Sequence, residues 1–267
     1  MLAAVCLGIV QGLTEFLPVS SSAHLILVRA FLGWQEGPEW LAFDVACHVG
    51  TLAAVLAFFR TDIVAMIRSL PRALSADAGT DGRRIRLIAV GTIPVVIVGV
   101  LFGSYLEASA RTPAVAATTL AVGALLFLIV ERIGPRTKGE AQLSMGGALA
   151  VGVAQSAALV PGVSRSGATI TMGMFLGLTR ATAARFTFLL SLPAILAAAA
   201  KEGLELRHVP LTSHDAAVFA VGIATAALVG YLTIKYFLRY LGTHRLDVFA
   251  WYRLALSAVT VVWMLTR

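Results

Sequence analysis

Charge is scarce in this chain of 267 residues: Asp, Glu, Lys and Arg make up 13% of it, against 58% hydrophobic residues. Soluble domains average about 25% charged and about 45–50% apolar, so this composition excludes an ordinary soluble domain. Mean hydropathy is +0.87, in the same direction. Cysteine is limited to Cys6 and Cys47, with no C-x-x-C spacing. That excludes a disulfide framework and a cysteine zinc site, and both residues read as buried free thiols. The hydrophobic runs lack the strict apolar–polar alternation of barrel strands. The first of them also lacks a basic leader and carries Gln11 and Glu15 where a signal peptide would be apolar, so it is expected to stay in the mature chain. The formal charge of +7 would suggest nucleic acid in a soluble protein. Here the arginines gather between apolar runs, as membrane insertion produces, and no nucleic-acid partner is expected.

What is present is a series of long runs rich in Leu, Ala, Val and Gly, which predict an all-α polytopic membrane protein. Full spans are expected near 41–60, 84–105, 113–131, 182–200, 214–236 and 248–266. Segments 2–31 and 144–178 are too broken by Pro, Gly and Ser to cross as single helices, yet too apolar for aqueous loops. Irregular backbone at membrane depth must be satisfied by protein or a wet cavity, so each reads as a re-entrant hairpin of half-helix, loop and half-helix.

The two segments also resemble each other. "GIVQGLTEFLPVSSSAH" from Gly8 aligns with "GVAQSAALVPGVSRSGAT" from Gly152, pairing Gln11 with Gln155 and, with a slip of one residue, Pro18 with Pro161. "AVGTIPVVIVGVL" from Ala89 matches "AVGIATAALVGYL" from Ala220 at both ends. The reading is one transmembrane domain over 1–267, duplicated as repeat 1 (about 1–135) and repeat 2 (about 144–267), each a re-entrant hairpin plus three transmembrane helices. Three crossings are an odd number, so the second copy enters from the other side, which makes an inverted-topology repeat.

Basic residues choose the orientation. One face holds Arg60, Arg68, Arg72, Arg83, Arg84, Arg86, Arg132, Arg136, Lys138, Arg180, Arg185, Lys235, Arg239 and Arg245; the other holds Arg29, Arg111, Lys201, Arg207 and Arg267. By the positive-inside rule the richer face is cytoplasmic, so the first hairpin opens to the periplasmic or extracellular side.

The polar residues of the hairpins carry the chemistry. Gln11 and Glu15 lie four apart on one helix face, and Pro18 ends that half-helix. An intramembrane carboxylate is expensive and marks a functional site by default. Ser20, Ser21 and Ser22 fall where the next half-helix starts, with His24 in its first turn; that start offers N-cap oxygens, free N–H groups and a positive dipole end suited to an anion. The second hairpin, "PGVSRSGATI", repeats the design with Ser164, Arg165, Ser166 and Thr169. An arginine at a helix N-terminus opposes the dipole and asks for a compensating anion, and phosphate suits its guanidinium fork.

Together, "EFLPVSSSAH" and "PGVSRSGAT" resemble the undecaprenyl pyrophosphate phosphatase family of bacterial inner-membrane enzymes, also called bacitracin-resistance proteins, over essentially the whole chain. The resemblance implies hydrolysis of undecaprenyl diphosphate to undecaprenyl phosphate and inorganic phosphate, which recycles the lipid carrier of cell-wall synthesis. It maps the family's Glu/Gln-x-x-x-Glu, Ser and His onto Gln11, Glu15, Ser21 and His24, and its Pro-Gly-x-Ser-Arg-Ser-x-x-Thr loop onto Ser164, Arg165 and Thr169. It also implies a divalent cation, Mg²⁺ or Ca²⁺, held through diphosphate oxygens and Glu15. Many relatives carry glutamate where this chain has Gln11, and an amide cannot act as a base, so more rests on Glu15. Ser22-Ala23 replaces a common Thr-Gly.

On this reading Glu15, Ser21, His24 and Arg165 are catalytic, while Gln11, Ser20, Ser164, Ser166 and Thr169 bind substrate. The attacking group is open between Ser21 activated by His24, His24 itself, and a water. Ser20 and Ser22 also read as caps, and His48, beside Cys47 on an apolar span, reads as a packed core residue. His208, His214 and His244 carry no functional case. The partners are a polyprenyl diphosphate lipid and the bilayer, and Gly-rich faces such as "MGGALAVG" permit the close helix contacts of a homodimer. The rival reading is a polyprenyl-phosphate flippase or secondary transporter, since inverted repeats with broken helices are also transporter architecture.

Overall fold

The computed structural model describes residues 1–33, 38–75, 79–206 and 212–266. Outside the description are Arg207, His208 and Arg267, together with the side chains of 38–41, 107, 108, 201–206 and 214, so Lys201 and His214 are not placed either. Among the described residues all regular structure is helical, apart from one isolated bridge between Lys138 and Leu178.

Two short helices, α1 (Leu2–Thr14) and α2 (Ser21–Leu32), open the chain. Next come α3 (Pro38–Phe58), α4 (Arg60–Ser69), α5 (Gly79–Ala110) and α6 (Pro113–Ile133). A second short pair, α7 (Met145–Ala157) and α8 (Arg165–Phe175), precedes α9 (Arg180–Leu206), α10 (Ser213–Leu241) and α11 (Asp247–Leu265). Of these, α5, α6, α9, α10 and α11 are long and apolar enough to cross a bilayer. Helix α3 reaches that standard only together with α4, across a bend of 77°, so the span expected at 41–60 turns sharply after Phe58.

The breaks in the short pairs follow from their sequences. Pro18 lies just past α1, and Pro161-Gly162 follows α7, with Gly162 at φ +90°, a conformation that costs glycine little. Ser20 then caps α2 by accepting from the Ala23 N–H at 3.3 Å, and Ser164 caps α8 by accepting from the Gly167 N–H at 3.1 Å. Both caps are non-glycine residues at positive φ, +74° and +71°.

The exterior is apolar, and the interior carries polar and charged groups among its apolar side chains. Val100 is 80% exposed, and Leu228 and Val262 also lie open, whereas Gln11, Glu15, Arg29, Asp44, Glu131, Gln155 and Arg253 are buried. Lipid rather than water is the solvent that suits such an arrangement, and the fold fits a polytopic membrane protein. Helix α10 packs on α1 and α3, α5 packs on α7, α6 packs on α11, and α9 touches α3. Small residues allow these approaches: a Cβ added at Gly152 of α7 would stand 2.9 Å from the Gly91 Cα of α5. Part of the "MGGALAVG" face is thus used inside the bundle. Cys6, expected to be buried, is exposed near the start of α1, while Cys47 is buried as expected.

Several arginines from the cation-rich face are paired. Arg185 bonds Asp62 at 2.7 Å, Arg84 bonds Glu140 at 2.5 Å, and Glu131 receives Arg136 at 2.8 Å and Arg180 as well. Arg29, counted with the other face, is buried and forked onto Asp44, which Arg111 also reaches at 3.1 Å.

Candidate active site

The loops of the two short helix pairs meet. Ser22 Oγ accepts from the Gly162 N–H at 3.2 Å, and Ser166 Oγ donates to the Leu17 carbonyl at 3.1 Å. Thr119 of α6 donates to the Pro161 carbonyl at 2.9 Å. Between them lies Arg253 of α11, fully buried. Its guanidinium donates to the carbonyls of Pro18 at 3.2 Å, Gly162 at 3.3 Å, Val163 at 3.2 Å, Thr119 at 3.0 Å and Leu120 at 3.1 Å. One buried cation therefore ties both loops to α6, and it satisfies carbonyls that the broken helices leave open. Gly123 leaves room for it, since a Cβ there would collide with the guanidinium.

Glu15 sits at the junction, 9% exposed. Its Oε2 accepts from Ser21 Oγ at 2.7 Å and from Gln11 Nε2 at 3.0 Å, and stands 3.4 Å from His48 Nε2. Its Oε1 stands 3.4 Å from Arg165 Nη2, across the junction. Glu15, Ser21 and Arg165, chosen from sequence, are thus gathered at one carboxylate. His24 is close in sequence but turned elsewhere: Nδ1 meets the Ser20 carbonyl at 2.7 Å, and Nε2 meets the Tyr252 hydroxyl at 2.7 Å. It makes no hydrogen bond with Ser21.

The remaining expected residues are engaged within the protein. Ser20 and Ser164 cap their helices and lie 3.2 Å from Ser22 and Ser166 respectively. Thr169 donates to the Arg165 carbonyl at 2.7 Å and accepts from Thr187 of α9 at 2.9 Å. Some polar atoms of the junction are left over. Gln11 Oε1, Arg165 Nη1 and both amide atoms of Gln155 are buried without a hydrogen-bond partner. Such atoms are costly unless something else meets them.

His48 corrects the sequence reading. It is not a packed core residue: its side chain is 28% exposed and faces Glu15. Asp44 and His48 are four apart in an otherwise apolar run, the same spacing that singles out Gln11 and Glu15, and that signal would have found it. Arg253 and Tyr252 also stand outside the sequence-derived set. Arg253 carried the usable signal, a charge in the middle of an apolar span.

A family model described as "Bacitracin resistance protein BacA" matches residues 4–259. The chain belongs to this family. Among curated BacA-like relatives, a protein of Rubrobacter xylanophilus named undecaprenyl-diphosphatase is 43% identical, covering 99% of this chain and 98% of its own. A Moorella thermoacetica protein of the same name is 42% identical over 99% of this chain and 98% of its own. A Stutzerimonas stutzeri protein named undecaprenyl-diphosphatase 2 is 44% identical, with 97% and 96% covered. Membership of the BacA family and the apolar helices together make this a multi-pass membrane protein.

Proposed function

We propose that this chain hydrolyses undecaprenyl diphosphate to undecaprenyl phosphate and inorganic phosphate. The observation that carries the reading at the site is the carboxylate of Glu15 standing between Ser21 of one loop and Arg165 of the other. Full-length relatives carrying the name undecaprenyl-diphosphatase supply the substrate.

The geometry supports the following chemistry. Ser21 Oγ attacks the terminal phosphorus while Glu15, its hydrogen-bond partner, takes the hydroxyl proton. The anhydride P–O bond breaks, and its electron pair leaves with the lipid monophosphate. Glu15 passes its proton to the departing lipid monophosphate; water then attacks the phosphoserine, its hydroxide joining phosphorus as the P–Oγ bond breaks and its proton passing by way of Glu15 to Ser21 Oγ, which releases phosphate. Arg165, whose Nη1 has no protein partner, holds non-bridging oxygens of the transferred group. Both nitrogens of His24 are occupied, which favours Ser21 as nucleophile and gives His24 the work of ordering the loop. Gln11 steadies Glu15, while Ser20, Ser164, Ser166 and Thr169 shape the two helix starts that face the diphosphate.

Among the described residues no three His, Cys, Asp or Glu side chains come together as a metal cage. The unpaired oxygen of Gln11 and the carboxylate of Glu15 fit a hard cation that takes its other oxygens from the diphosphate. Mg²⁺ or Ca²⁺ bound there would neutralise phosphate charge.

The inverted-repeat reading of a single domain over 1–267 belongs here too. Its support is the matched pair of caps, Ser20 and Ser164, with nearly equal dihedrals and the same cap bonds. Helix pairings add to it: α1 on α10 exchanges with α7 on α5 when the halves are swapped, and α3–α9 and α6–α11 exchange with themselves. With the arginine-rich face in the cytoplasm of a bacterial inner membrane, Ser21 and Glu15 open to the periplasmic or extracellular side.

The deciding experiment is phosphate release from undecaprenyl diphosphate by purified protein. We expect turnover by the wild type, a loss of at least about 100-fold in Glu15→Ala and Arg165→Ala with folding retained, and a fall on chelation that Mg²⁺ or Ca²⁺ reverses. No turnover by the wild type with either ion overturns the reading.

A further inference from the structure

Glu15, just past α1, is held by Gln11 from α1, Ser21 from α2, Arg165 from α8 and His48 from α3. The first three belong to the motifs of the two loops; His48 does not. The remaining bonds of His48 fix its ring in place. Nδ1 donates to the Asp44 carbonyl at 2.8 Å, one turn earlier on α3. Asp44 is itself clamped by Arg29 and Arg111, and α3 lies close along α10, where a Cβ at Gly222 would stand 2.6 Å from the Phe43 ring. The imidazole therefore has one orientation, with Nε2 directed at Glu15 Oε2, and its edge is open to the site.

We propose that His48 is a positioning residue for the phosphatase reaction, resting on the function proposed above. Its Nε2, 3.4 Å from Oε2, steadies the Glu15 carboxylate so that Oε2 stays toward Ser21 while Oε1 stays toward Arg165. Both ring nitrogens face oxygens, one the Asp44 carbonyl and the other the Glu15 carboxylate, so the contact with Glu15 is one in which the imidazole serves as donor. Without it, only Gln11, Ser21 and Arg165 hold the carboxylate, and the oxygen that takes the serine proton is less firmly fixed. Losses of about 10–100-fold are typical when a group that orients a metal ligand from behind is removed, and a comparable loss is expected for a group that orients the Glu15 carboxylate. The requirement is for a donor at that spot rather than for an imidazole, and glutamine places an amide N–H at similar reach.

The test measures kcat and KM for undecaprenyl diphosphate in wild type, His48→Leu and His48→Gln, with folding checked by thermal unfolding in detergent. We expect kcat in His48→Leu to fall about 10–100-fold with KM changed less than about threefold, the pattern of an interaction used in the transition state. In His48→Gln we expect recovery to within about fivefold of wild type. Three outcomes would overturn the proposal: wild-type kcat in the leucine variant, a loss confined to KM, or a glutamine variant as impaired as the leucine one while both unfold at the wild-type temperature. If the leucine variant does not fold, the glutamine variant decides alone. A wild type that releases no phosphate ends the function reading itself, which separates that failure from the others.

Discussion

Ser20 adopts φ +74° yet is not glycine, and it immediately precedes Ser21, the proposed nucleophile. A non-glycine residue in such backbone costs on the order of 1–3 kcal/mol and persists when its surroundings hold it there. The cap to Ala23 and the contact with Ser22 are what hold it. Glycine at an N-cap costs only about a few tenths of a kcal/mol relative to serine, whereas alanine costs about 1. We therefore expect Ser20→Gly to unfold at or above the wild-type temperature and Ser20→Ala below it. Turnover should fall in both, because the residue that fixes the direction of Ser21 has lost its side chain. Arg253 gives a second case. Lysine keeps the charge but cannot reach carbonyls on three segments from one ammonium, and each buried acceptor left alone costs about 1–3 kcal/mol. Arg253→Lys should show a lower unfolding temperature and reduced kcat together, since the same carbonyls belong to the backbone of both loops.

At the scale of helices, the close approach of α7 to α5 is a tight demand on sequence in the second half. A valine at Gly152 would press on the Gly91 backbone, with a Cβ 2.8 Å from its carbonyl carbon. Overpacking of this kind costs about 1–3 kcal/mol, so Gly152→Val should lower the unfolding temperature clearly. Gly103→Ala, on the same α5 but with nothing within 4 Å, should leave it unchanged or raise it. Five of the six expected spans, those of α5, α6, α9, α10 and α11, were legible in the sequence because lipid demands about 20 apolar residues per crossing. The broken pairs were legible because proline, glycine and serine cluster where helices stop. The 77° turn from α3 into α4 was not, because Phe58 and Phe59 carry no breaker and the bend is settled by packing: Phe59 is buried and meets Phe188 of α9. His48 was missed for a related reason. The Asp44–His48 spacing marks a polar face on α3, but which groups that face meets is settled only by the packing of the other helices.

For the whole molecule, orientation is the open quantity that charge addresses. In a chain with Cys6→Ser and Cys47→Ala, we expect a cysteine at Thr112 to react with an impermeant maleimide in intact cells, and one at Ser75 to react only after lysis. Both sites are exposed and outside the packed bundle. The reverse pattern would place Ser21 and Glu15 on the cytoplasmic side. The pairing of Arg84, Arg180 and Arg185 with Asp62, Glu131 and Glu140 leaves fewer free cations on that face than a count of arginines implies. The clamp made by Arg253 has a further bearing on biosynthesis. It arrives on α11, the last helix of the described chain, whereas the serine and carboxylate it steadies emerge with α1 and α2. A ribosome releasing this protein into the translocon would thus expose the reactive side chains first and deliver their fastening last. Precursors halted before α11 should be inserted but inert.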